Sequence, residues 1–152
     1  MTDHSPDLTR FVVAQNQGGT YDRALAELTA GQKRSHWMWF VFPQLAGLGR
    51  SSIAREFAIA GPDEARDYLA HPVLGERLRA CCRAVLSIED STAVDVFGPV
   101  DAMKLRSSVT LFAWVAPDEP VFAAVLDAFF GGEPDAATQD LLGGASDRTA
   151  RR

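Results

Sequence analysis

The stretch SHWMWFVF, Ser35–Phe42, decides the fold. Read as a strand, Trp37, Trp39 and Val41 oppose His36, Met38, Phe40 and Phe42. Read as a helix, it is apolar on nearly every side and therefore buried. So short a run does not separate the two by periodicity. Its neighbours do, because the segments on both sides carry helical punctuation. The expectation is a short helix capped by Ser35. Pro43 pushes Phe42 toward an extended backbone and ends the element.

Working outward, SPDLTRFVVAQ offers Ser5 as a cap and Pro6 at the first helical position. Thr20 can cap YDRALAELTA, in which Tyr21, Ala24, Leu25 and Leu28 share one face, and Gly31 supplies the stop. Downstream, GLGRSS is a turn into SIAREFAIAG, and Pro62 starts PDEARDYLA. His71-Pro72 breaks that helix and starts the next, PVLGERLRACCRAVLSI, with Pro72 as its structural element. Ser91 caps the short turn TAVDVFG, and DAMKLRSSVTLFAWVA, DEPVFAAVLDAFF and EPDAATQDLLGG follow. No strand alternation and no internal repeat interrupts this series. The fold class is all-α, an irregular compact globule of about eight mostly short helices, too short for a regular four-helix bundle. One domain is expected over 5–144, with a polar, disordered tail over 145–152.

Bulk composition narrows the function classes. At 152 residues the chain has the size of one domain, and it needs no metal or disulfide to hold a core. Apolar residues make up 47%, which excludes a disordered chain. The net charge of -5 lacks the general basic field of nucleic-acid binders, so no nucleic-acid partner is expected. Cys81 and Cys82 are adjacent, so their side chains diverge on a helix and form no structural disulfide; they read as small buried side chains in a reducing compartment. With His4, His36 and His71 scattered, no zinc spacing exists, and neither metal nor cofactor is expected. The N-terminus is polar and no apolar run reaches about 20 residues, so neither signal peptide nor membrane span is expected. The expected location is the cytoplasm.

Three polar borders carry the candidate chemistry. His36 sits beside Trp37 and Trp39, a set that can stack a flat ligand and donate a hydrogen bond or move a proton; the same residues also make an ordinary aromatic core. Gln44, Arg50 and Ser51 lie on the Gly-rich turn before a helix, where free amides and a guanidinium suit a phosphate or carboxylate. The Walker spacing is absent, and the serines can equally be plain caps. Lys104 and Ser108, with Asp101, share one side of a helix. The two lysines of the chain, Lys33 and Lys104, each precede one of these polar clusters. Ser-x-x-Lys order is missing, so an activated serine is not indicated.

The segments GQKRSHWMWFVFPQLAGLGRSS, EARDYLAHPVLGERL, VFGPVDAMKLRSSVTLF and FFGGEPDAATQDLL together resemble a bacterial family, the domain of unknown function numbered 1810. The resemblance spans roughly residues 8–142 and implies a mainly α-helical fold. Phe57 stands where members commonly have tyrosine, and Val109 where they often have methionine. Members are sometimes labelled calpastatin. That inhibitor works through disordered segments, and the helical patterning of this chain contradicts the label.

These borders lead to one expected function, binding of a small nucleotide-like or phosphorylated ligand between the aromatic segment, the GLGRSS turn and the KLRSS helix. Two alternatives stand beside it. One is a protein-interaction module with an aromatic patch. The other is an ADP-ribose-processing hydrolase, because Asp-x-x-Lys followed by Thr-Leu-Phe is similar to small α-rich proteins of that kind. Neither a nucleophile–base pair nor a cofactor fingerprint decides whether the chain is an enzyme, and nothing in it fixes an oligomeric state.

Overall fold

Helix punctuation becomes helix ends in the computed structural model, which describes residues 5–150, with side chains described over 8–143. The α-helices are α1 Ser5–Asn16, α2 Thr20–Ala30, α3 Met38–Val41, α4 Ser52–Glu56, α5 Pro62–Ala70, α6 Leu74–Leu86, α7 Ala93–Phe97, α8 Pro99–Val115, α9 Pro120–Phe130 and α10 Ala136–Ala150. A 3-10 turn, Gln17–Gly19, joins α1 to α2. The chain is all-α, as expected, with no strand among the described residues. Ten α-helices stand where about eight were expected, and three of them are very short: α3 has four residues, α4 and α7 five each. The helix α10 runs to Ala150, past the expected domain boundary; 151–152 lie outside the described residues.

Proline starts three helices as the sequence indicates: Pro62, Pro99 and Pro120 each occupy a first-turn position, where a missing N–H is harmless. Several caps fall elsewhere than expected. Trp37, not Ser35, precedes α3, because the Ser35 hydroxyl is drawn to Glu27. Thr20 lies inside α2 and bonds the Gln17 carbonyl, while Gly19 takes the cap position. Thr92, not Ser91, caps α7, in a reciprocal box with Asp95. The side chain of Ser5 lies outside the described side chains.

The helix α8 is the axis of the molecule. It contacts α3, α5, α7, α9 and α10, and Ser107–Phe112 are buried on all sides. Two of its three polar residues there bond their own helix: Ser107 Oγ donates to the Met103 carbonyl at 3.1 Å and Thr110 Oγ1 to that of Arg106 at 2.7 Å. Around α8 an aromatic core links Phe11, Tyr68, Phe112 and Phe122 through successive ring contacts of 5.2–5.7 Å. Phe57 joins it, packing on Phe11 and Phe40. Fully burying each such ring stabilises the fold by roughly 1.5–3 kcal/mol. Arg79 closes the far side, its guanidinium donating twice to Glu119, at 2.7 and 2.9 Å, to tie α6 to the start of α9.

Two local devices place the segment that follows α3. A single parallel bridge pairs Leu45 with Ile59: Ile59 N donates to Gln44 O and Ala46 N to Ile59 O, both at 2.8 Å. Gly49 then lies so close to α4 that a Cβ there would stand 2.5 Å from the Ala54 methyl, so only glycine fits the turn. The 44–49 turn is thereby held against the start of α8.

Candidate functional site

The turn before α3 is organised by Glu27, near the end of α2. An anion there faces the negative end of the helix, so it needs donors of its own. It has four. Glu27 Oε1 accepts from Arg34 N at 2.8 Å, Ser35 N at 3.0 Å and the Trp37 indole at 2.8 Å, and Oε2 accepts from the Ser35 hydroxyl. Burial raises the carboxyl pKa, but the bonds from the Ser35 side chain, the two amides and the indole outweigh it and hold it down at about 2. Sequence reasoning passed over Glu27; its one sign was a carboxylate placed where the helix dipole disfavours it.

Beyond that turn the two lysines meet. Lys33 Nζ lies 2.9 Å from Asp101 Oδ2, and Lys104 Nζ lies 3.5 Å from Asp101 Oδ1. Each ammonium also stands over an indole, Lys33 at 4.9 Å from the Trp37 ring and Lys104 at 4.3 Å from that of Trp39. The Asp101–Lys104 pair is therefore one half of a two-lysine cluster. Only 7% of the Lys33 side chain is exposed, against 19% for Lys104. Lys33 is the structural half, and Lys104 faces outward.

Lys104 opens onto a cleft of about 350 Å³ between the 44–49 turn, the first turns of α8 and the start of α10. Its polar walls are Gln44, Lys104, Ser107 and Asp135; Leu48, Val100 and Met103 supply most of the apolar wall. Asp135 is 9% exposed and caps α10, its Oδ2 accepting from Thr138 N at 2.9 Å and from Thr138 Oγ1 at 2.7 Å. Its Oδ1 takes no bond among the described residues, nor does the Gln44 side-chain amide. Lys104 and Asp135 form no ion pair with each other. Three polar side chains thus line one cleft with capacity to spare.

Of the residues singled out in the sequence, Gln44 and Lys104 line this cleft and the others do not. Trp37 is fully buried and gives its N–H to Glu27, so it cannot stack a ligand. Trp39 is half-buried, with one face already under Lys104. His36 is exposed and has no hydrogen bond or ion pair among the described residues. Arg50 is exposed outside the cleft; Ser51 spends its oxygen on Ala54 N, and the helix it caps has five residues, too few for an anion site of its own. Ser108 points away into the core, its Oγ without a partner, and Ser107, one position earlier, takes the cleft side. Nor is the aromatic segment an exposed patch: Trp37, Met38, Phe40, Val41 and Phe42 are all buried.

Elsewhere the titratable groups serve packing. Burial pushes the Cys81 thiol up to about 12 and the Cys82 thiol upward as well, so neither is a nucleophile. No group of three or more histidine, cysteine or carboxylate side chains that could hold a metal occurs among the described residues, and none of the helices is long and apolar enough to cross a membrane. His71 does more than break a helix: its Nδ1 accepts from Val73 N at 3.1 Å and Leu74 N at 3.2 Å, so the imidazole caps α6.

Comparison with known proteins agrees with this architecture. Among curated proteins nothing matches the chain. Among solved structures it is similar to the conserved hypothetical protein Rv1873 from Mycobacterium tuberculosis, with 45% sequence identity over 90% of this chain and 96% of that one, and a TM-score of 0.87. The family described as protein of unknown function (DUF1810) matches residues 5–142. With nearly its whole length matched, the chain belongs to the DUF1810 family.

Proposed function

We propose that this protein binds a small phosphorylated or carboxylated metabolite in the cleft between the 44–49 turn, α8 and α10, with the anionic group of the ligand on Lys104. One observation carries the reading: Gln44, Lys104 and Asp135 line one concavity, and the protein itself leaves the Gln44 amide and Asp135 Oδ1 unpaired and Lys104 only loosely held. Polar groups that converge on a mostly apolar concavity without being used up by the fold are a recognition feature. The cleft lies at the small end of the range for ligand sites, which favours a compact ligand over a dinucleotide. The indoles are not available for stacking, so the ligand needs no flat ring.

A thermal-denaturation screen tests this with small carboxylic acids, sugar phosphates, nucleoside monophosphates and ADP-ribose. A true ligand at a hundredfold excess over its dissociation constant stabilises by roughly 2.7 kcal/mol. The effect is expected to vanish in Lys104→Met, which keeps the side-chain stem over Trp39 and removes the charge. Either no stabilisation by any probe or equal stabilisation of the Lys104→Met variant refutes the proposal.

A further inference from the structure

The cleft carries a second charge that an anion alone leaves unused. Asp135 is about nine-tenths buried but not wholly enclosed, and a carboxylate has room for donors on both oxygens. Only Oδ2 has them, from the Thr138 amide and hydroxyl. Oδ1 has none among the described residues, and the nearby Ser107 hydroxyl already donates to the Met103 carbonyl. Lys104 lines the same cleft, and its one carboxylate partner, Asp101, is 3.5 Å away. Lys104 and Asp135 line the same cleft without pairing, so a cation and an anion face it separately. The wall of the same cleft also includes the Gln44 amide, able to donate and accept, and the apolar side chains of Leu48 and Met103.

We infer that the ligand is a small zwitterion of the amino-acid type, its carboxylate on Lys104, its ammonium on Asp135 Oδ1 and its apolar side chain against Leu48 and Met103. This rests on the proposed binding role of the cleft and names the ligand class for it. A plain anion would satisfy Lys104 and leave Oδ1 unpaired. A plain amine would do the reverse and be repelled by Lys104. A ligand with both charges satisfies both, and discrimination by a buried polar group against an analogue that lacks its partner is strong.

The test measures dissociation constants by calorimetry for L-leucine, L-methionine, L-valine and L-phenylalanine. Beside them run 4-methylpentanoic acid (leucine without its amine) and 3-methylbutylamine (leucine without its carboxylate). At least one of the amino acids is expected to bind, and its deaminated analogue to bind about tenfold more weakly or worse. Asp135→Asn is the decisive variant. Asparagine caps a helix as well as aspartate does, so the fold is retained, which thermal denaturation checks. In that variant the amino acid is expected to fall to the affinity of its deaminated analogue. If the deaminated acids bind as tightly as the amino acids, or the Asp135→Asn variant keeps the preference, the zwitterion inference is overturned while anion binding at Lys104 stands. Binding of phosphorylated probes without any amino acid has the same consequence. If none of the anions and none of the amino acids binds, both readings fall.

Discussion

Replacing Glu27 by glutamine tests the claim that one carboxylate holds the turn ahead of α3. Four donors converge on its two oxygens. Glutamine keeps one acceptor oxygen, which can still face the Arg34 and Ser35 amides and the indole, but as a neutral acceptor with weaker bonds. Its NH₂ replaces the oxygen that receives the Ser35 hydroxyl, and that hydroxyl must rotate to accept. The magnitude follows from titration. Glu27 falls from 4.5 to about 2 on folding, which sets an upper bound of about 3 kcal/mol for the advantage of the charged form. The side chain is partly exposed, and solvent screening reduces this to about 1–2 kcal/mol.

The direction in pH is fixed. Because the folded state holds the carboxyl below its unfolded value, this contribution is complete above pH 4.5 and is lost as pH falls toward about 2. Urea denaturation of the parent protein and the Glu27→Gln variant at pH 7 and pH 3 measures it. The variant is expected to be less stable by about 1–2 kcal/mol at neutral pH, and the gap is expected to narrow by about half at pH 3. Indole fluorescence should also shift, since Trp37 loses a charged acceptor. A gap of the same size at both pH values would refute the reasoning, because it would mean that the lost shape matters and the charge does not.

Substitutions at four other positions probe separate parts of the structure. Asp101→Asn leaves the Lys33 ammonium buried without its anion and is expected to destabilise by about 2–4 kcal/mol; adding Lys33→Met should restore part of this in a double-mutant cycle, and additive losses would contradict the pairing. His71→Ala removes the acceptor for Val73 N and Leu74 N, with an expected cost of about 1 kcal/mol, read as a lower denaturation midpoint that His71→Asn does not show. Gly75→Ala would put a Cβ 2.1 Å from the Leu69 carbonyl oxygen and force α5 away from α6, a cost of about 1–3 kcal/mol or more. By contrast Gly143→Ala meets nothing within 4 Å in α10 and is expected to stabilise by about 0.4–1 kcal/mol.

The fold was legible where the chain punctuates itself. Pro62, Pro99 and Pro120 start helices because a proline ring suits the first turn and no other, and that rule needs no tertiary partner. Short polar residues were less legible, because each can spend its oxygen in several ways. Ser35 is a good cap by composition, but its hydroxyl turns to donate to a carboxylate eight positions earlier and accepts from none of the amides that open α3. His71 was hidden by the proline after it. The imidazole accepts two amides, a role usually filled by serine, threonine, asparagine or aspartate, so nothing local marks it.

The same distinction separates the residues of the candidate site. Lys104 and Gln44 could be suspected because a polar group next to an apolar run is conspicuous. Asp135 could not, since Asp before an Ala-rich helix reads as a cap, and it is one. Its second oxygen is what gives it another use, and that becomes visible only when the side chain is nearly enclosed. Ser107 and Ser108 make the point on α8 itself. One residue turns a helix by about 100°, so neighbours of identical chemistry face different surroundings. Ser107 meets the cleft, while the hydroxyl of Ser108 is buried without a partner. The sequence alone does not separate the two serines; only the packing of α8 between the 44–49 turn and the start of α10 chooses which of them a ligand could reach.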